Sequence, residues 1–111
     1  MRQTTEFIAD CLHFLRLEKP VDFGVGDVIS DWDAHYYNEE RRHVVRVHNK
    51  PVRCKLSLIA HELVHASLEE TNPGAKDHGR KFRQRAEALE KHLRRIGWEL
   101  HDKIFIKGVD V

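Results

Sequence analysis

The sequence predicts an α+β domain in which a small antiparallel sheet of about three strands packs against an N-terminal helix, a central helix and a following C-terminal helix. Three observations carry this. Apolar residues recur at helical spacing in three segments of the 111-residue chain. Between the first two of these segments, apolar and polar residues alternate with the two-residue period of a strand. Proline, glycine and asparagine mark the boundaries. Helices and strands that fall in separate runs, not in alternation, point to an α+β layering in one domain spanning residues 1–111.

The first helix is expected from about Thr4 to Leu17, because Phe7, Ile8, Cys11, Leu12 and Leu15 share one helical face and Thr4 or Thr5 can cap it. Lys19-Pro20 should end it, since proline disfavours the helical conformation in the residue before it. Val21, Phe23 and Val25 then alternate as in a strand. Two more strands, Asp33 to Asn38 and His43 to His48, flank the charged run Glu39-Glu40-Arg41-Arg42, which reads as a polar turn. Pro51 suits the first turn of a second helix running to about Glu70, where Asn72-Pro73-Gly74 stops it. A third helix fits Arg80 to Ile96: Phe82, Ala86, Leu89, Leu93 and Ile96 recur at intervals of three and four, and Gly97 supplies a left-handed cap. Ile104, Phe105 and Ile106, within Lys103 to Lys107, suggest a last short strand.

Composition excludes several classes of protein. With 41% apolar and 33% charged residues the chain reads as globular, and a net charge of +1 declares neither a nucleic-acid nor a membrane partner. Asp10, His13 and Arg16 interrupt the N-terminal apolar stretch, so neither a signal peptide nor a transmembrane helix is expected, and a cytoplasmic location follows. Cys11 and Cys54 are far apart and outside any CxxC spacing, which predicts reduced, mostly buried thiols.

The segment His61-Glu62-Leu63-Val64-His65 is the HExxH pattern. Residues four apart lie one helical turn apart on the same face, so two imidazoles can converge on one Zn²⁺ while the adjacent glutamate reaches a water there as general base. A chain with nine histidines contains this pattern by chance roughly 6% of the time, so context has to raise it. Projected at about 100° per residue, Leu56, Ile59, Ala60, Leu63 and Ser67 fall on one side of the helix, and Leu58, His61, Glu62, His65 and Glu69 on the other. The expectation is an apolar face on the core and a histidine face on a cleft. A catalytic zinc site needs a third protein ligand. His78, in Asp77-His78-Gly79-Arg80-Lys81-Phe82 just before the third helix, is the first candidate, with Glu87 and Glu90 of that helix as rivals. Asp77 is a candidate to orient a ligating imidazole, and Tyr36, Tyr37 or His35 to donate to a developing oxyanion. His13, His35, His43, His48, His92 and His101 lack motif spacing and are expected on surfaces or at element ends.

HELVHASLEETN followed by DHGRKF resembles the SprT-like metallopeptidase domain, the group that includes Spartan. Its pattern is HExxH, an Asn soon after, a loop, and a third His-Gly before a Phe that opens the next helix; His61, Glu62, His65, Asn72, His78, Gly79 and Phe82 stand at the matching places. The match covers about residues 43 to 96. The resemblance implies a zincin-like fold, one zinc ion and proteolysis, and in the best-known members the degradation of proteins crosslinked to DNA. The chain has no cysteine beyond Cys54, so a minimal version without the C-terminal zinc ribbon is expected.

The function expected is therefore a zinc-dependent endopeptidase acting on protein or peptide substrates. The basic face of the third helix, with Arg80, Arg83, Arg94 and Arg95 as candidate phosphate contacts, could bring it to DNA or be an ordinary solvated surface. The alternatives are a non-catalytic zinc-stabilised binding module, against which the carboxylate of Glu62 argues, and a metal-dependent hydrolase of a cell-wall peptide link or a phosphodiester.

Overall fold

In the computed structural model, which describes residues 2–25, 34–47, 52–73, 78–100 and 103–105, the six elements occur in the predicted order. They are α1 (Arg2–Leu15), β1 (Val21–Val25), β2 (Ala34–Asn38), β3 (His43–Val47), α2 (Val52–Thr71) and α3 (Arg80–Arg95). The expectations placed on Pro51, Gly74, Asp77, His48, His101 and Ile106-Lys107 lie outside the described residues, as do the side chains of His35 and Cys54.

The sheet has the order β1-β3-β2. β3 is central because its HVVRV sequence presents apolar groups to both faces, and Val44, Val45 and Val47 are buried. β2 and β3 form the predicted antiparallel pair, with Tyr36 opposite Val45. β1, however, pairs with β3 in parallel, Phe23 opposite Val45, so the sheet is mixed and not antiparallel. The 17 residues between Val25 and His43, which include β2, are long enough for the crossover that a parallel pair needs.

α2 is the hub. Among the described residues it packs against β2 and β3 and against α1 and α3, touching every element except β1. Leu56, Ile59, Ala60, Leu63, Val64 and Leu68 are buried along it, and with Phe7, Cys11, Phe82, Ala86, Leu89 and Leu93 they make the core. The expected split into a core face and a cleft face holds in part: Leu56, Ile59, Ala60, Leu63 and Ser67 are buried and Leu58, His65 and Glu69 are partly exposed, but His61 and Glu62 are only 3% and 0% exposed.

Both ends of α1 differ from expectation. α1 begins at Arg2, so Thr4 and Thr5 lie within its first turn and do not cap it. It stops at Leu15, ahead of Lys19-Pro20, because Arg16 takes a left-handed conformation (φ 56°) with its N–H bonded to the Leu12 carbonyl at 2.8 Å. α3 ends as predicted, with Gly97 at φ 105°. Beyond it, Trp98 donates to Asp10 at 2.7 Å and meets the Phe7 ring edge-on, tying the end of α3 to α1. Lys103 to Phe105 form a bend and not a strand. The Cys11 thiol is free and buried, and burial, with the nearby Asp10 charge, pushes its pKa up. Among the described residues no helix is long and apolar enough to cross a membrane.

Candidate metal centre

α2 carries His61 and His65 one turn apart, and the chain entering α3 brings His78 to them. Each of the three offers a ring nitrogen, and these atoms lie within 4.8 Å of one another, close enough to hold a metal ion. Nε2 of His78 is 3.1 Å from Nε2 of His61 and 2.9 Å from Nε2 of His65. Nitrogen ligands at about 2.0–2.1 Å from a tetrahedral zinc stand roughly 3.3–3.4 Å apart, so the two separations to His78 are close to those of a ligand set. One proton on His78 Nε2 could serve both contacts only as a divided bond, whereas a divalent cation takes all three lone pairs.

The tautomer of His61 follows from its neighbour. Its Nδ1 is 2.8 Å from the Ile104 carbonyl oxygen, which only accepts, so Nδ1 carries the proton and Nε2 turns a lone pair toward the cluster. Ile104 is held in turn by Glu90, whose Oε1 accepts the Ile104 N–H at 2.9 Å while Oε2 faces Arg94 at 3.2 Å. Glu90 is thus occupied in supporting His61 from behind. Glu87, the other rival ligand, is paired with Arg83 at 3.5 Å on the surface. Between the two glutamates and His78, the geometry favours His78.

Phe82 was expected to anchor the start of α3, and it does so against the site itself. Its ring centroid lies 4.8, 4.6 and 4.8 Å from those of His61, His65 and His78. One buried apolar ring therefore backs all three imidazoles and restricts their rotation. Gly79 precedes α3 in an extended conformation (ψ −163°) and lets the chain turn from His78 into the helix.

Glu62 is fully buried, and neither carboxylate oxygen has a hydrogen-bond partner. Burial pushes its pKa up to about 8. A buried carboxylate without a donor is costly and needs an explanation; a cation and a water at the adjacent histidine cluster would supply one, so the residues present fit a zinc ion.

The sheet contributes less directly. Tyr36 lays its ring parallel to that of His65, centroids 6.3 Å apart, but its hydroxyl is bonded to His43 Nδ1 at 2.8 Å. Burial, then the charges of Glu69 and Glu70, raise its pKa, so the phenol stays neutral. Tyr37 points to the other face of β2 and is 42% exposed. His43 stands at an element end, as the first residue of β3, but it is 0% exposed, with Nε2 2.6 Å from Glu70 Oε2. An apolar strand beginning with histidine was the available signal, since burial of that strand carries the ring inward. His13 is exposed, and His92 stacks on Phe14 at 4.7 Å.

Of the candidate phosphate contacts, Arg80, Arg83, Arg94 and Arg95 are all exposed. Arg83 and Arg94 are engaged by Glu87 and Glu90 of their own helix, which reduces the free positive charge of that face. Arg85 instead bridges α3 to α2 through Ser67 Oγ at 2.7 Å and Thr71 Oγ1 at 3.1 Å.

No family model and no curated protein sequence matches the chain.

Proposed function

We propose that this protein is a zinc-dependent peptidase in which His61, His65 and His78 hold the metal and Glu62 is the general base. The observation that carries the reading is the pairing of two features on one helix: three imidazoles converging within 4.8 Å, and a fully buried carboxylate with no partner between the two helical ligands. A zinc ion held there supplies a Lewis acid that acidifies a water and polarises a scissile carbonyl. Glu62 accepts the proton from the attacking water and passes it to the leaving amine nitrogen. The Ile104 carbonyl keeps His61 in the ligating tautomer, and Phe82 limits rotation of the three rings.

Three ligands among the described residues would leave a further position for water, which favours a catalytic over a structural zinc, for which four protein ligands are usual. The same point argues against a zinc-stabilised binding module. Peptide bonds are the proposed substrate because of the HExxH-plus-histidine set; delivery to DNA-associated proteins rests on the exposed arginines of α3 alone.

The test is cleavage of an unfolded protein such as casein by the zinc-loaded chain. Glu62→Gln should retain zinc and lose hydrolysis by at least roughly a hundredfold, and His78→Ala should lose both. A Glu62→Gln protein that cleaves at the unsubstituted rate sinks the general-base assignment. A zinc-loaded chain that cleaves a phosphodiester and no peptide moves the reading to another hydrolase.

A further inference from the structure

A second set of polar side chains lies behind the metal centre, on the sheet side of α2. Glu70, in the last turn of α2, accepts the backbone N–H of Glu18 at 2.9 Å through Oε1 and that of Lys19 at 3.1 Å through Oε2. Its Oε2 also lies 2.6 Å from Nε2 of the fully buried His43. Burial alone would raise the Glu70 pKa; the hydrogen bonds from Glu18, His43 and Lys19 outweigh it and hold the carboxyl below its ordinary value. A carboxylate only accepts, so His43 Nε2 donates to Glu70, and in the neutral ring Nδ1 then accepts from the Tyr36 hydroxyl at 2.8 Å. The chain of bonds runs in one direction, from Tyr36 through His43 to Glu70, and it reaches β2, β3, α2 and the α1–β1 connection. At its far end the Tyr36 ring lies within 5° of parallel to His65, one of the three clustered imidazoles.

We propose that Glu70, His43 and Tyr36 form a positioning relay that sets the ring plane of His65. The Tyr36 ring is parallel to that of His65 with centroids 6.3 Å apart, and so bounds on the sheet side the space into which the His65 ring can turn. Tyr36 can rotate about its own side-chain bonds unless its hydroxyl is held, and His43 holds it. His43 is fixed because both ring nitrogens are engaged, the second by a carboxylate that two backbone N–H groups orient. All three are positioning residues: they act through His65. The value of this placement for chemistry rests on the metal-centre reading above.

The experiment uses the full chain labelled with ¹³C-histidine and compares Glu70→Gln, Tyr36→Phe, His43→Gln and His43→Ala with the unsubstituted protein. Tyr36→Phe removes one hydrogen bond and no ring, and Glu70→Gln keeps the size of the side chain. In the metal-free protein the His65 Cε1–H signal should shift in Glu70→Gln and Tyr36→Phe while that of His61, supported separately, stays in place. His43→Gln, which keeps a donor toward Glu70, should move His65 less than His43→Ala. Zinc affinity, measured by competition with a chelator, should fall roughly tenfold in Tyr36→Phe and Glu70→Gln. A His65 signal unmoved in both variants overturns the relay, and so do equal shifts of His61 and His65, which mark general loosening of the fold. If the unsubstituted protein takes up no zinc while His65 shifts selectively, the relay stands and it is the metal-centre reading that fails.

Discussion

Glu62 is the residue on which the proposed general-base chemistry rests. It lies in an α-helix with an apolar residue on its C-terminal side, and both its oxygens are buried without donors. Its pKa is raised to about 8 from an ordinary 4.5, so between those values the folded protein binds one proton more than the unfolded chain. Stability of the metal-free protein should therefore fall as pH rises from about 4.5 to 8, by up to about 1.4 kcal/mol per pH unit. Glu62→Gln, which stays neutral, should flatten that slope in denaturant titrations run across the same window. Equal slopes for the two proteins would mean that Glu62 does not carry the raised pKa. The same substitution thus reports on stability without metal and on hydrolysis with it.

Among the elements, α3 both packs the core and shapes the site. Phe82 is buried against the three imidazoles, and Ala86, Leu89 and Leu93 continue its apolar stripe into the core. Phe82→Ala should cost about 3–5 kcal/mol in unfolding free energy, the range for truncating a buried phenylalanine. It should also weaken zinc binding by freeing the rings; a variant with full stability would show that the ring is not packed as described. At the other end, Gly97 closes α3 with φ 105°, and a Cβ there would meet nothing within 4 Å. The obstacle to Gly97→Ala is thus backbone conformation and not space. The expected loss is about 1–2 kcal/mol, read as a lowered thermal midpoint with the metal centre unaffected.

For the whole molecule, a metal held by the three imidazoles would couple parts of the chain that are distant in sequence. His61 and His65 belong to α2, His78 to the entry of α3, and the support of His61 comes from Ile104. A ligand bound only by the folded state stabilises it by about 2.7 kcal/mol at a hundredfold excess over Kd. Zinc should therefore raise Tm by on the order of 10 °C, and a chelator should reverse the gain. A thermal midpoint insensitive to zinc over that concentration range would remove the metal centre from the account. A binding module stabilised by zinc predicts the same rise, so this measurement has to be read with the hydrolysis assay.

The order and type of the six elements, and the pattern that nominates His61, Glu62, His65 and His78, are written in the sequence alone. Helical and strand periods, punctuation by Pro20, Pro73 and Gly97, and a four-residue histidine spacing are all local, and local pattern is what a linear chain displays. Only the tertiary structure decided that β1 runs parallel to β3, that both the sheet and the two other helices pack on α2, and that His43 lies buried between Tyr36 and Glu70. It likewise placed the Ile104 carbonyl behind His61 and gave Glu90 a supporting role in place of a ligand's. These facts depend on contacts between residues distant in sequence, 43 positions apart for His61 and Ile104, where strand direction and burial follow from how whole elements cover one another. No period within a single element carries that information.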